Sequence, residues 1–202
     1  MPRKAPSSRA TSLLLALSVA LLATLRPTES RASVAIAVSW ENLLHESTAA
    51  AVLTAAEARS VWENGRIYTY THVHVDRALS GELAAGADAW VRTMGGVVGE
   101  IGQMVEGEAV LVAGEQSVLF LHPGPAGAFE VTARGQGQLA VVKDGLELRA
   151  RVVVRGNVGK IVLPRVVAPA VAPLLAADLL HDRSVDAVAR EVATAWTRTH
   201  AR

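Results

Sequence analysis

The clearest pattern in the chain runs from Arg66 to Leu79, where Ile67, Thr69, Thr71, Val73 and Val75 alternate with Tyr68, Tyr70, His72, His74 and Asp76. A period of two with β-branched and aromatic residues predicts a half-buried strand, because successive side chains leave a strand on opposite faces. Just before it, Asn64-Gly65 supplies the residues that tolerate the positive φ angles of a two-residue hairpin. The turn therefore pairs that strand with an Ala/Val-rich strand over 49–60. Further strands are predicted over Ala89 to Met94, Ser117 to Leu121, Ala128 to Val142 and Leu146 to Val154, with turns at His122-Pro123-Gly124 and Lys143-Asp144-Gly145 between them. Gly135 and Gly137, inside the third of these runs, read as a bulge or a corner.

Two segments carry helical spacing instead. Ser39 is a candidate N-cap for a short helix over 39–47 with Trp40, Leu43 and Leu44 on one side. Ser184 caps an amphipathic helix in which Val185, Val188, Ala189, Val192 and Trp196 share a face and Asp186, Arg190, Glu191 and Arg198 point away. Between the last strand and this helix, Pro164, Pro169 and Pro173 punctuate an Ala/Val-rich stretch and predict a connecting arm.

The first residues have a different grammar. Arg3, Lys4 and Arg9 precede an apolar run from Leu13 to Leu25, and small residues follow around Ser30 and Ala32. As a helix that run would reach only about 20 Å, short of the ~30 Å hydrocarbon core, so it reads as a secretory signal and not as an anchor. Cleavage is expected within residues 32–37. The expected organisation is thus a signal peptide over 1–32, a β-barrel domain over 38–155, a Pro-containing arm over 156–183 and a C-terminal helix over 184–202.

Export changes the charge argument. The net charge of +1 includes Arg3, Lys4, Arg9, Arg26 and Arg31, set against Glu29. Removing residues 1–32 turns it negative, and with that goes the compositional support for nucleic-acid binding. The chain has no cysteine, which excludes disulfides, thiolate metal sites, a cysteine nucleophile and a lipidated cysteine. These features suit an exported protein of a bacterial periplasm or of the medium, with no integral membrane span.

Three constellations invite chemistry, and each has a plainer explanation. His72, His74 and Asp76 share a strand face at a spacing of about 6.8 Å between alternate residues. A metal-dependent enzyme could use them, yet nothing else in the strand signals the supporting partners of a metal site, and a solvated face explains them as well. Gly95, Gly96, Gly99 and Gly102 lack the Lys-Ser/Thr of a phosphate-binding loop, while Val97, Val98 and Ile101 look like strand, so a tight crossing over a barrel is expected. Arg149, Arg151 and Arg155 form a stripe that could hold an acidic glycan or another envelope polymer, or serve only to keep an edge strand soluble.

No Gly-x-Ser-x-Gly elbow, HExxH helix or close acid pair occurs. Ser117 and Thr132 have no evident link to His122. Trp40, Trp62, Trp90 and Trp196 fall in different elements, which favours core filling over a stacking platform. No catalytic residue, metal ligand or cofactor is assigned.

The segments Arg66-Ile-Tyr-Thr-Tyr-Thr, Val73-His-Val-Asp-Arg-Ala-Leu-Ser-Gly-Glu, Val91-Arg-Thr-Met-Gly-Gly, Gly114-Glu-Gln-Ser-Val-Leu-Phe-Leu and Phe129-Glu-Val-Thr-Ala-Arg-Gly-Gln-Gly give the chain a resemblance. Over roughly residues 38 to 142 it resembles a group of uncharacterised exported bacterial proteins frequent in myxobacteria and their relatives. More distantly it is similar to the OB-type barrel of netrin-like domains and tissue inhibitors of metalloproteinases. Those inhibitors reach the target zinc through an N-terminal cysteine that this chain lacks, so that route is not implied. The expectation is a mainly β protein, a five- or six-stranded OB-like barrel with a short N-terminal helix and a C-terminal amphipathic helix. Its expected role is that of an exported non-enzymatic binding or interaction module for an unknown protein or envelope polymer. The alternatives are the metal-dependent enzyme on His72, His74 and Asp76, and a structural accessory of a secreted assembly.

Overall fold

The computed structural model describes residues 35–152, 161–162 and 173–201. The leader, its cleavage region up to residue 34, Arg155, Pro164 and Pro169 lie outside the described residues. The chain is mainly β, with a short helix near its start and a longer one at its end.

After a two-residue strand β1 (Ala35–Ile36), helix α1 (Trp40–Glu46) is capped by Ser39, whose hydroxyl accepts from Asn42 N–H. Strands β2 (Ala49–Glu63) and β3 (Arg66–Gly81) form a long antiparallel hairpin. Its tip is Asn64-Gly65, with φ of 50° and 77°, as the Asn-Gly signal predicts. Then follow β4 (Asp88–Met94), a small hairpin of β5 (Gly96–Val98) and β6 (Ile101–Gln103), β7 (Gln116–Pro123), β8 (Phe129–Val131), β9 (Gln138–Asp144) and β10 (Glu147–Val152). Strand β11 (Ile161–Val162) pairs in parallel with β1. Helices α2 (Ala176–Leu180) and α3 (Val185–His200) close the chain.

The main sheet has seven strands in the order β10-β9-β7-β2-β3-β4-β8, and β8 also pairs with β7. Five strands therefore join in a hydrogen-bonded ring: β2-β3-β4 as a meander, β4 parallel to β8, β8 antiparallel to β7, and β7 antiparallel to β2. Strands β9 and β10 extend the sheet beyond the ring. This is where the expected run over 128–142 divides: β8 ends, a short 3-10 turn at Arg134–Gly137 makes the corner, and β9 begins.

The packing explains the alanines of β2. Residues 49–53 are covered on both faces: Ala49, Ala51 and Leu53 point into the ring with Val73, Val75, Val91, Leu119 and Leu121. Ala50 and Val52 point the other way, toward Trp40, Leu43, Leu44, Phe120 and the apolar face of α3. Small side chains let both layers approach. Trp40 meets Phe120 edge to face at 5.5 Å between ring centres. Register shifts between Ala50/Ala51, Val52/Leu53 and Ala55/Ala58 bend β2 as it leaves the doubly covered region. Gly81 has φ +87°, and a Cβ there would lie 2.1 Å from the Thr48 carbonyl oxygen, so only glycine fits where β3 passes the start of β2.

The expected arm over 156–183 is in part ordered structure, since it contributes β11 and helix α2. The hydrophobic pattern of Ala176 and Leu180 is too short to announce a helix by itself, and both side chains are buried against the helix-covered core. Among the described residues, no helix is long and apolar enough to cross a membrane.

Candidate functional site

The ring interior is not uniform along its length. Toward one end it is filled by Val73, Val75, Val91 and Leu121, all fully buried. Toward the other, the inward positions of β3 and β4 become Thr69, Thr71 and Thr93. That end opens into a cavity of about 540 Å³ lying between the strand ends, the β5–β6 hairpin and the 104–111 segment.

Each wall is fixed by specific bonds. Thr69 Oγ1 donates to the Gly95 carbonyl at 2.7 Å and lies 2.9 Å from Ser60 Oγ, which ties the hairpin base to β2 and β3. Gln103 Oε1 accepts from Ile67 N–H at 2.9 Å and holds the returning strand of the hairpin. Gly95 and Gly96 have φ of +101° and +131°, and a Cβ on Gly96 would fall 2.2 Å from Thr69 Oγ1. The glycine pair thus makes the sharp crossing, and the glycine-rich stretch is a hairpin over the ring, not an anion cradle. On the opposite side, buried Gln138 donates from Nε2 to Val110 O at 2.7 Å and accepts at Oε1 from Val110 N–H at 2.9 Å. It pins an irregular segment to β9 much as a strand partner would.

The chemistry of the cavity is sparse. Thr71 is 1% exposed, and its hydroxyl has no hydrogen-bond partner among the described residues. Glu108, with a side chain 9% exposed, lines the wall; Arg134 Nε lies 3.8 Å from its carboxylate, and Ala109 N–H donates to it at 3.3 Å. Burial pushes the Glu108 carboxyl above the ordinary value, and the Arg134 charge opposes that only in part. Apolar groups supply the rest: Val105, Ala109 and Leu111 inside, with Val97 and Met104 exposed at the mouth, while Met94 borders the cavity from the outer face, where it pairs with Tyr68 and its sulfur lies 3.9 Å from Arg66.

A second polar feature lies where the ring closes. Arg92 on β4 and Glu130 on β8 are register partners across the parallel step and form an ion pair. Arg92 Nη2 also reaches Glu63 at 2.6 Å, Tyr70 O–H donates to Glu63 at 2.6 Å, and the guanidinium lies 3.4 Å from the centre of the Tyr68 ring. The Arg92 side chain is only 10% exposed. Burial disfavours its charge, but the bonds to Glu63 and Glu130 outweigh this and hold it protonated. The Tyr70 and Arg92 bonds hold the Glu63 carboxyl below its ordinary value.

The sequence-based candidates separate in the structure. Asp76 does not join the two histidines: its carboxylate accepts from Thr54 at 2.6 Å and from Gln116 at 2.8 Å. His74 meets Asp88 at 3.0 Å instead, and His72 packs against Trp90 with 5.1 Å between ring centres. No group of three or more His, Asp or Glu side chains among the described residues is placed to hold a metal ion. Arg149 is not a free cation, since it donates to the Asp182 carbonyl and Glu147 and lies 3.7 Å from Asp144. The Arg151 side chain lies outside the described residues.

His122 does meet Thr132, at 3.2 Å, and Thr132 lies 3.0 Å from Ser47. Both hydroxyl residues are 2% exposed, so they tie α1 to the corner after β8. Ser117 bonds Gln138 at 3.2 Å. Core filling accounts for Trp40 but not for Trp62, which is 49% exposed beyond the bends of β2, and Trp90 and Trp196 are half-buried.

Sequence reasoning missed the cavity because its parts carry no motif. Thr69 and Thr71 read as ordinary strand residues, and Glu108 stands in a stretch with no periodicity. Comparison of the chain with protein-family models, curated proteins and solved structures found no match.

Proposed function

We propose that this chain is an exported, non-enzymatic binding module that acts through the open end of its ring of strands. The ring order, with one parallel step between β4 and β8, supports an OB-like barrel. The leader pattern supports export, and the resemblance to exported bacterial proteins belongs with the same reading.

One observation carries the proposal. A cavity of about 540 Å³, within the usual range for small-ligand sites, is lined in part by Thr71, whose buried hydroxyl has no partner among the described residues. A buried hydroxyl without a partner costs about 1–3 kcal/mol, and valine has nearly the same shape without that cost. A ligand that bonds the hydroxyl removes the penalty, which gives a binding role to a group that weakens the fold.

The test uses a neutral probe that fluoresces in apolar surroundings, N-phenyl-1-naphthylamine. The expected result is saturable binding to one site, lost in Val110→Trp at the cavity mouth while the circular dichroism spectrum is unchanged. Absence of binding, or equal binding by both proteins, overturns the proposal.

A further inference from the structure

We infer that the cavity takes a neutral linear amphiphile, an apolar chain whose hydroxyl or carbonyl head enters first and bonds Thr71; this rests on the binding reading above. The head group follows from what the cavity offers. Thr71 can donate or accept one bond. Among the described residues that line the cavity the charged side chain is Glu108; Arg134 stands 3.8 Å from its carboxylate, which also accepts from Ala109 N–H. An anionic head would therefore meet a carboxyl already in place, beside a guanidinium that is already engaged with it. A cationic head would have to compete with Arg134 for the same carboxylate. Desolvating either charge without a partner is costly, whereas a neutral head loses little.

The chain follows from the walls and the rim. Val105, Ala109 and Leu111 line the cavity with Met104 at its mouth, and the unbranched thioether side chain there adapts to a flexible guest. Apolar surface continues outside along the hairpin, where Val97 is 66% exposed, Ile101 56% and Met104 91%. A short polar ligand would leave this path unused. A chain that enters at Thr71 and runs out beneath the hairpin covers it.

The experiment is titration calorimetry of the protein with decan-1-ol, decanoate and decyltrimethylammonium, each kept below its aggregation limit. Decan-1-ol is expected to bind at least about tenfold more tightly than either ion. Thr71→Val is expected to weaken decan-1-ol by about tenfold while melting no lower than the parent. If valine at this position unfolds the protein, the pair Thr71→Ser and Thr71→Ala isolates the hydroxyl, and the same ratio is expected between them.

Equal or tighter binding of an ion overturns the neutral-head inference but leaves the binding module standing. Equal decan-1-ol affinity with and without the hydroxyl overturns the role of Thr71. Failure of all three chains to bind a protein that still takes up N-phenyl-1-naphthylamine overturns the linear amphiphile. Failure of the fluorescent probe as well overturns the binding module itself.

Discussion

Ring closure rests on a very short strand, and Arg92→Met measures how much its side-chain support contributes. Strand β8 has three residues and only two register positions against β4, Val91 with Phe129 and Arg92 with Glu130. The Arg92–Glu130 pair spans that step, with the Arg92 side chain 10% exposed and that of Glu130 32% exposed. A fully buried pair loses about 3–5 kcal/mol when one partner goes, and an exposed pair is worth about 0.2–1 kcal/mol. With one side buried and the other partly wet, a coupling of about 1–2 kcal/mol is expected. Methionine also removes the guanidinium from the Tyr68 ring and from Glu63, and a double-mutant cycle cancels both, because they are lost with either residue at position 130. The assay is a double-mutant cycle with Glu130→Gln, read by denaturant unfolding. A coupling below about 0.3 kcal/mol would refute the reasoning and leave closure to the backbone alone.

Three further outcomes are expected. Glu63 has a lowered folded value, so its stabilisation is present above the ordinary 4.5 and lost as pH falls through the folded value; Arg92→Met makes that acid loss shallower in pH-dependent melting. Glu108 has the opposite sign: with a raised folded value its contribution is full below 4.5 and fades as pH rises through that value, so Glu108→Gln flattens the pH–stability curve on that side. Phe120→Ala, at a fully buried position against Trp40, is expected to cost about 3–5 kcal/mol in denaturant unfolding, and a loss under about 1 kcal/mol would count against the helix-covered core.

Local signals in the chain translate well into structure. Asn64-Gly65, the alternation from Ile67 to Val75 and the serine caps at 39 and 184 each depend on neighbours a few residues away, and each element forms where its pattern stands. Closure of the ring depends on contacts far apart in sequence. Phe129–Val131 looks like part of a longer strand until the turn at Arg134–Gly137 interrupts it, with Ala133 at φ 56° and Arg134 at 55°, which no composition rule announces. The cavity was illegible for a related reason. Its wall over 104–111 is held by the side chains of Gln103 and Gln138, whose partners lie 36 and 28 residues away. The surroundings of Asp76 were not legible either, because a shared strand face does not fix where a carboxylate turns, and Thr54 on the neighbouring strand gives it a closer partner than the histidines.

The chain has three methionines; Met104 lines the cavity mouth, and Met94 stands beside it on the outer Tyr68 face. Methyl-labelled methionine spectra recorded while decan-1-ol is added therefore report on the site directly. The Met104 methyl signal should move and saturate, and move further than that of Met94, which stands on the outer face with Tyr68 and Trp90. A Met104 signal that remains in place while decan-1-ol binds elsewhere on the protein would contradict the account.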